Sequence, residues 1–210
     1  VANFNGFTTI TFTETSPCFA NGEHLTEFIV WVGNCCTGEK IGSTDNTYTL
    51  YKHPNPTLAS DINPTWFLNN SNKVAINGTL IIDNHFTISN CPNVAMGKDA
   101  QIILQPGASL VIENSHLHSC GEFMWEGITV QGNPNQSQQA ISGSGSSGTY
   151  HQGAVFLNNA TIEHAEVAVN LSSAATAFRG GIVQATSSTF ANNRYDVVMP
   201  PYRWQNANNN

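Results

Sequence analysis

The stretch from Gly153 to Met199 writes one pattern twice. Gly153-Ala-Val-Phe-Leu-Asn-Asn-Ala-Thr-Ile-Glu-His-Ala-Glu-Val-Ala-Val-Asn-Leu171 is matched, at a constant offset of 28, by Gly181-Ile-Val-Gln-Ala-Thr-Ser-Ser-Thr-Phe-Ala-Asn-Asn-Arg-Tyr-Asp-Val-Val-Met199. Val155 falls on Val183, Thr161 on Thr189, Ile162 on Phe190 and Val169 on Val197, without a gap. Each copy holds an apolar strand, a Thr-apolar pair and a second apolar strand, divided by Asn, Ser and Ala corners. A unit this short cannot bury its own apolar face and must stack on copies of itself. The repeat therefore predicts a solenoid of short strands, a β-helix.

The same pattern runs upstream in a rougher form. Ser109-Leu-Val-Ile-Glu-Asn-Ser-His-Leu-His-Ser-Cys120 lays over Ala154 to Ala165, placing Asn114 on Asn159 and Leu117 on Ile162. Thr79-Leu-Ile-Ile-Asp-Asn84 lays over Ser109 to Asn114. This alignment predicts that Asn84, Asn114 and Asn159 stack at one corner, with Ser187 in the last copy. Stacked side-chain amides hydrogen-bond to one another, and Asn tolerates the left-handed backbone of a tight corner.

Short strands fill the region between Val74 and Gly132: Val74-Ala-Ile, Thr79-Leu-Ile-Ile, Phe86-Thr-Ile, Val94-Ala-Met, Gln101-Ile-Ile-Leu, Ser109-Leu-Val-Ile, His116-Leu and Gly127-Ile-Thr-Val. None has a helical period, and Gly, Asn-Gly, Pro-Gly and Asp-Asn corners separate them. A sandwich or an up-and-down barrel is also built from such strands. The ungapped 28-residue copy favours the solenoid. Residues 1–72 lie outside the repeat. Thr8–Thr13, Phe28–Val32 and Thr47–Tyr51 read as strands there, before Pro54, Pro56 and Pro64. They predict an irregular β-rich N-terminal cap or small subdomain, because an uncovered end exposes core and strand edges. Residues 73–199 form the solenoid. Residues 133–152, rich in Gly, Ser and Gln, read as a flexible insertion without catalytic consequence. Residues 200–210 are an Asn-rich tail.

Only 10 % of the 210 residues are charged, and the net charge is −7. That balance excludes coiled coils and argues against nucleic acid as a partner, which needs clustered Lys and Arg. No apolar run approaches the roughly 20 residues of a membrane-spanning helix. The chain opens on Val1 rather than Met, leaving a removed leader or a trimmed start as the two expectations. Of the five cysteines, Cys18 pairs plausibly with Cys35 or Cys36 in an oxidising compartment. Cys91 and Cys120 are 29 residues apart, a spacing at which they stack if one coil separates them; buried thiols are the alternative. Neither metal-ligand spacing nor a cofactor motif is visible.

Two kinds of chemistry are compatible with such a surface. Catalysis on a polysaccharide needs two carboxylates about 5 to 10 Å apart, or a base beside a calcium site. Its best candidates are Glu113, Glu122, Glu126, His116 and His118, with Asp83 one coil below Glu113. His116 and His118 share a strand face at i, i+2, as a metal pair would, although alternation around the inward Leu117 already explains them. No paired Asp and no neighbouring Arg or Lys supports a uronate site. Binding without catalysis draws on aromatic rings that stack on sugars. Trp66 and Trp125 are the candidates among Trp31, Trp66, Trp125 and Trp204. A third reading takes Thr87, Thr161 and Thr189 as a flat threonine array, although β-propensity alone also places threonines in strands.

Several phrases carry a family likeness. Val94-Ala-Met-Gly97, Gln101-Ile-Ile-Leu-Gln-Pro-Gly-Ala-Ser-Leu-Val-Ile112, Cys120-Gly with Trp125-Glu-Gly-Ile-Thr-Val130, Gly180-Gly-Ile-Val and Ser188-Thr-Phe-Ala-Asn-Asn-Arg-Tyr-Asp-Val197 resemble the right-handed parallel β-helix, pectate-lyase-like proteins secreted by Bacteroidetes-type bacteria. The resemblance spans about Gly78 to Met199. It implies three parallel sheets, export by the type IX secretion system, and display at or release from the bacterial cell surface as part of a larger chain. The expectation is an all-β, right-handed parallel β-helix solenoid with an irregular β-rich N-terminal cap. Its expected role is structural, adhesive or glycan-binding without a cofactor; the alternative is a polysaccharide lyase or glycoside hydrolase.

Overall fold

Strands of three to six residues, linked by tight corners, build most of the chain from Val74 onward that the structure describes. The structure is a computed structural model that describes residues 6–15, 23–32, 48–49, 57–62, 64–69, 74–76, 78–171 and 179–201, with side chains from residue 58 onward except at Trp66. β1 (Gly6–Thr15) and β2 (Glu23–Val32) pair antiparallel, Gly6 opposite Val32. β3 (Tyr48–Thr49) and β4 (Thr57–Leu58) follow. From Val74 the strands come in threes. The first set is β5 (Val74–Ile76), β6 (Thr79–Ile82) and β7 (His85–Ser89). The next is β8 (Val94–Met96), β9 (Gln101–Leu104) and β10 (Ser109–Glu113). Then come β11 (His116–Ser119), β12 (Trp125–Val130) and β13 (Ala154–Asn158). β14 (Thr161–Glu163), β15 (Ala165–Asn170) and β16 (Ile182–Thr186) precede β17 (Thr189–Ala191) and β18 (Tyr195–Val198).

From β5 onward each parallel sheet takes every third strand. The first is ordered β17-β14-β11-β8-β5-β3, the second β18-β15-β12-β9-β6-β4, and the third β16-β13-β10-β7. The fold is all-β with parallel sheets, and among the described residues there is no α-helix. The 28-residue copy is a pairing register: Ala154 lies opposite Ile182, Thr161 opposite Thr189 and Val167 opposite Tyr195. Parallel pairing also reaches back before residue 73, since Tyr48 pairs with Val74 and Thr57 with Leu80.

Alternation fixes what each strand buries. Phe86, Ile88, Leu110, Ile112, Val155 and Leu157 point inward from the third sheet and are at most 2 % exposed. They meet Ile76, Met96 and Leu117 from the first sheet and Leu80, Ile102 and Ile128 from the second in one core. Burying each such side chain contributes about 1.5–3 kcal/mol.

The Asn ladder exists, but with different members. Asn90 donates to Asn69 at 2.7 Å, Asn114 to Asn90 at 3.0 Å and Asn159 to Asn114 at 2.9 Å, each from Nδ2 to Oδ1. All four, and Ser187 in the same place, hold positive φ between 46° and 53°. Asn84 is not part of it. The alignment of Thr79–Asn84 on Ser109–Asn114 joins two different sheets, because β6 pairs with β9 and β7 pairs with β10. Both segments alternate apolar and polar, so the pattern alone could not separate them. For the same reason Asp83 is not below Glu113; Ser89 is, and Asp83 instead accepts from the Ser60 backbone N–H and hydroxyl.

Two further expectations change. Thr161 lies opposite Thr189, but Thr87 is in the third sheet opposite Val111, and His116 precedes Thr161 in its column. No threonine array forms from these three. Cys91 and Cys120 do not stack either. The Cys91 thiol is buried beside the Phe67 carbonyl at 3.2 Å, whereas Cys120 is disulfide-bonded and packs outside the first sheet with Ala75, Ala95 and Phe123. The expected pairing of Cys18 with Cys35 or Cys36 lies outside the described residues.

Candidate functional site

The third sheet carries its outward residues in three rows across β7, β10, β13 and β16. His85, Ser109, Ala154 and Ile182 form one; Thr87, Val111, Phe156 and Gln184 the next; Ser89, Glu113, Asn158 and Thr186 the last. Most of these are polar, as a solvent-facing sheet requires. Phe156 and Ala154 are not, yet they are 5 % and 0 % exposed. Tyr150 of the 133–152 insertion packs against Phe156.

That insertion packs back against the sheet. The Tyr150 ring lies 5.9 Å from the Phe156 ring, centroid to centroid, and its hydroxyl donates to the Gly145 carbonyl at 3.1 Å. Ile141 donates to Thr149 and Thr149 to Ser142 through the backbone, at 2.8 and 2.9 Å, which closes the tip into a narrow turn. The base is clamped by Gln152, which is fully buried. Its Oε1 accepts from the Asn133 backbone N–H, and its Nε2 donates to the carbonyls of Asn133 at 2.9 Å and Gln136 at 2.7 Å. One amide thus satisfies backbone groups at both ends of the loop, as a buried polar group must. Composition concealed this: Gly and Ser supply backbone, while Tyr150 and Gln152 do the anchoring.

Between the insertion and the sheet lies a cleft of about 610 Å³, lined by His85, Thr87, Ser109, Val111 and Glu113 on the floor and by Ser146–Tyr150 on the wall. A second hollow of about 250 Å³ shares Val111, Glu113 and Ser146 and continues along Phe156, Asn158, Gln184 and Thr186. Together they make a groove that crosses all four strands. His85 places Nδ1 2.7 Å from the Ser109 hydroxyl and Nε2 3.5 Å from that of Thr87. Glu113 is half-buried, and its Oε1 accepts from Asn158 Nδ2 at 3.2 Å. A further hollow of about 460 Å³ beside Leu171, Val183 and Met199 is lined mainly by apolar groups and glycine backbone and gathers no such polar set.

The sequence-derived catalytic candidates do not converge. Glu113 faces outward from the third sheet, His116 and His118 from the first, and Glu126 is exposed on the second. Glu122 is exposed in the loop after β11. The physical reason is the rotation of strands among three sheets: residues 113, 118 and 126 are near in sequence but lie on different faces. His116 Nε2 is 2.7 Å from Glu163 Oε2, and its ring lies 4.9 Å from that of His118. His118 sets Nδ1 2.8 Å from the Ser119 carbonyl and Nε2 2.7 Å from Asn93 Oδ1. Burial alone pushes the Glu163 carboxyl up; hydrogen bonds from His116 and Asn192, with the fields of His116 and His164, outweigh it and hold the carboxyl below its usual value. Among the described residues no three of His, Cys, Asp or Glu come together as a metal site.

Trp125 offers no ring to a ligand. It is fully buried and its indole N–H donates to the Glu163 carbonyl at 2.9 Å. The Trp66 side chain, with Trp31 and Trp204, lies outside the described side chains. Sequence reasoning missed Tyr150, Phe156 and Asn158. A signal was present in Ala154-Val-Phe-Leu157, four consecutive apolar residues on a strand that exposes alternate positions. Two of them had to find cover. No family model, no curated protein and no solved structure matches this chain. Among the described residues no helix is long and apolar enough to cross a membrane.

Proposed function

We propose that this chain is a right-handed parallel β-helix module, exported to the bacterial surface or beyond it, that binds an extended glycan without cleaving it. The groove between the insertion and the third sheet carries this reading. Four strands about 4.8 Å apart give its floor a length of roughly 14 Å, and it runs across the strands, along the direction in which the sheets stack. Hydroxyls and amides of Thr87, Ser109, Asn158, Gln184 and Thr186 line it beside the half-exposed Tyr150 ring. Sugars present alternating hydroxyl edges and C–H faces, and this is the lining that suits both.

The β-helix reading is supported by the three parallel sheets fed in strict rotation. Export is supported by the disulfide at Cys120, which suits an oxidising compartment; the type IX route rests on the sequence resemblance alone. Hydrolysis by two carboxylates has less support, because Glu113 is the one carboxylate among the described groove-lining residues. The test is a binding titration with neutral and charged hexasaccharides, with chain length of the sugar followed in the same tubes. Binding with intact sugar, weakened by Tyr150→Ala, is expected. Shortened sugar, or no binding to any hexasaccharide, overturns the proposal.

A further inference from the structure

We infer that the groove selects glycans bearing free amino groups, with Glu113 as the counter-ion that reads them; the inference rests on the glycan-binding reading above. Among the described residues that line the groove there is no Lys and no Arg. The carboxylate among those described residues is Glu113, at the junction where both hollows meet under Ser146. His85, the other titratable group on the floor, sets both ring nitrogens against hydroxyls.

Among the described residues Glu113 forms no ion pair. Arg194 pairs with Glu166 and His116 lies hydrogen-bonded to Glu163, and neither contact reaches the third sheet. The contact that Glu113 does make orients it: Asn158 holds Oε1, and Oε2 has no protein hydrogen bond among the described residues. A half-buried carboxylate acts through a lower effective dielectric than an exposed one, so a cation is attracted more strongly there. Its neighbours in the same row, Ser89, Asn158 and Thr186, bear hydroxyls and an amide that suit the hydroxyls flanking an amino group on a sugar. The same carboxylate repels uronates, and the net charge of −7 does so at longer range. An amino sugar polymer satisfies the carboxylate and the hydroxyl lining together.

The experiment is calorimetric titration of the whole chain at neutral pH and low salt with three hexamers: glucosamine, N-acetylglucosamine and galacturonate. The glucosamine hexamer is expected to bind at least about tenfold more tightly than its acetylated counterpart, the scale of one charge-assisted hydrogen bond. Glu113→Gln is expected to abolish that preference, bringing the two glucosamine forms to equal affinity. Glu126→Gln, an exposed carboxylate on the second sheet, is expected to leave the preference intact and so separates a local counter-ion from general negative charge. Equal binding of both glucosamine forms, a preference that survives Glu113→Gln, or a preference for galacturonate overturns the inference while the groove still binds glycan. No binding of any hexamer removes the glycan-binding reading itself, and the inference with it.

Discussion

Asn114 donates from Nδ2 to Asn90 Oδ1 across 3.0 Å while both residues hold left-handed backbone angles, at φ 46° and 53°. The pair explains why this corner needs Asn rather than Gly alone. Left-handed backbone costs an ordinary residue about 1–2 kcal/mol, and each ladder hydrogen bond returns about 1 kcal/mol. Asn114→Gly keeps the backbone and loses two ladder bonds; Asn114→Ala loses the bonds and adds strain. Chemical denaturation is expected to rank them wild type, then Gly, then Ala, with Ala lower by about 2–4 kcal/mol. Ala equal to or better than Gly would remove the ladder from the account of stability.

Gly127 is the point at which the second sheet shifts register, between Gly127 and Ile128. Its φ is +100°, and an added Cβ would stand 1.7 Å from the Val167 carbonyl oxygen. That atom is backbone in the adjacent strand and cannot move without parting the two. Gly127→Ala is expected to cost at least about 3 kcal/mol, combining overpacking and strain. Gly107, at φ +85° with nothing within 4 Å of its Cβ position, provides the comparison. Gly107→Ala is expected to cost only the backbone term of about 1–2 kcal/mol. A similar fall in melting temperature for both would refute the steric argument.

Trp125 belongs to the core and not to the groove. Trp125→Phe removes the hydrogen bond to the Glu163 carbonyl and leaves a void where the second indole ring packed. The expected loss is about 1–3 kcal/mol of stability. Glycan affinity measured below the lowered melting point is expected to be unchanged. A selective loss of binding at full stability would restore Trp125 as a ligand contact.

How much of this was legible in the sequence depends on how far periodicity reaches. The 28-residue copy gave the pairing of Val155 with Val183 and Thr161 with Thr189 because those copies have equal length. The rougher upstream pattern also placed Ser109 on Ala154 and Leu117 on Ile162 correctly, and failed at Thr79–Asn84. There the third-sheet strands step by 24 residues from His85 to Ser109 and then by 45 to Ala154, the insertion lengthening the second step. Asn90 and Asn69 were hidden from a search that assumed a longer step. The site was less legible than the fold. Its floor comes from four strands spread over about half the chain, and its wall from a segment whose Gly and Ser content resembles a linker. Gln152 is one polar letter in that segment, and nothing local marks it as buried.

The Glu163 carboxyl gives a sign for the acid limb of stability. Its folded value lies below its ordinary one, so the unfolded chain binds more protons in that window. The contribution is fully present above the unfolded carboxylate value and is lost as pH falls through the folded one. Wild-type stability is therefore expected to decline as pH is lowered past about 4.5. Glu163→Gln keeps the shape but removes the titration, and its stability is expected to fall less steeply over the same acid range. Parallel pH profiles for the two proteins would show that the His116 and Asn192 contacts do not hold the carboxyl ionised.

Gln152 should govern the insertion without governing the core. Truncation in Gln152→Ala leaves the Asn133 N–H and the Asn133, Gln136 and Ser137 carbonyls without that partner. Groups near the surface recover water, so the cost falls on the closed state of the loop rather than on the strands beneath it. The Tyr150–Phe156 contact is then the remaining anchor. Limited proteolysis is expected to cut within residues 133–152 at least about tenfold faster, as one to two lost hydrogen bonds imply. Amide exchange in β10 and β13 is expected to stay protected, since their pairing of Leu110 with Val155 and Ile112 with Leu157 does not involve the loop. Glycan affinity should drop with the loop's closure, because the groove wall at Ser146–Tyr150 is set by that clamp. Faster cleavage with unchanged affinity would place the ligand on the sheet alone.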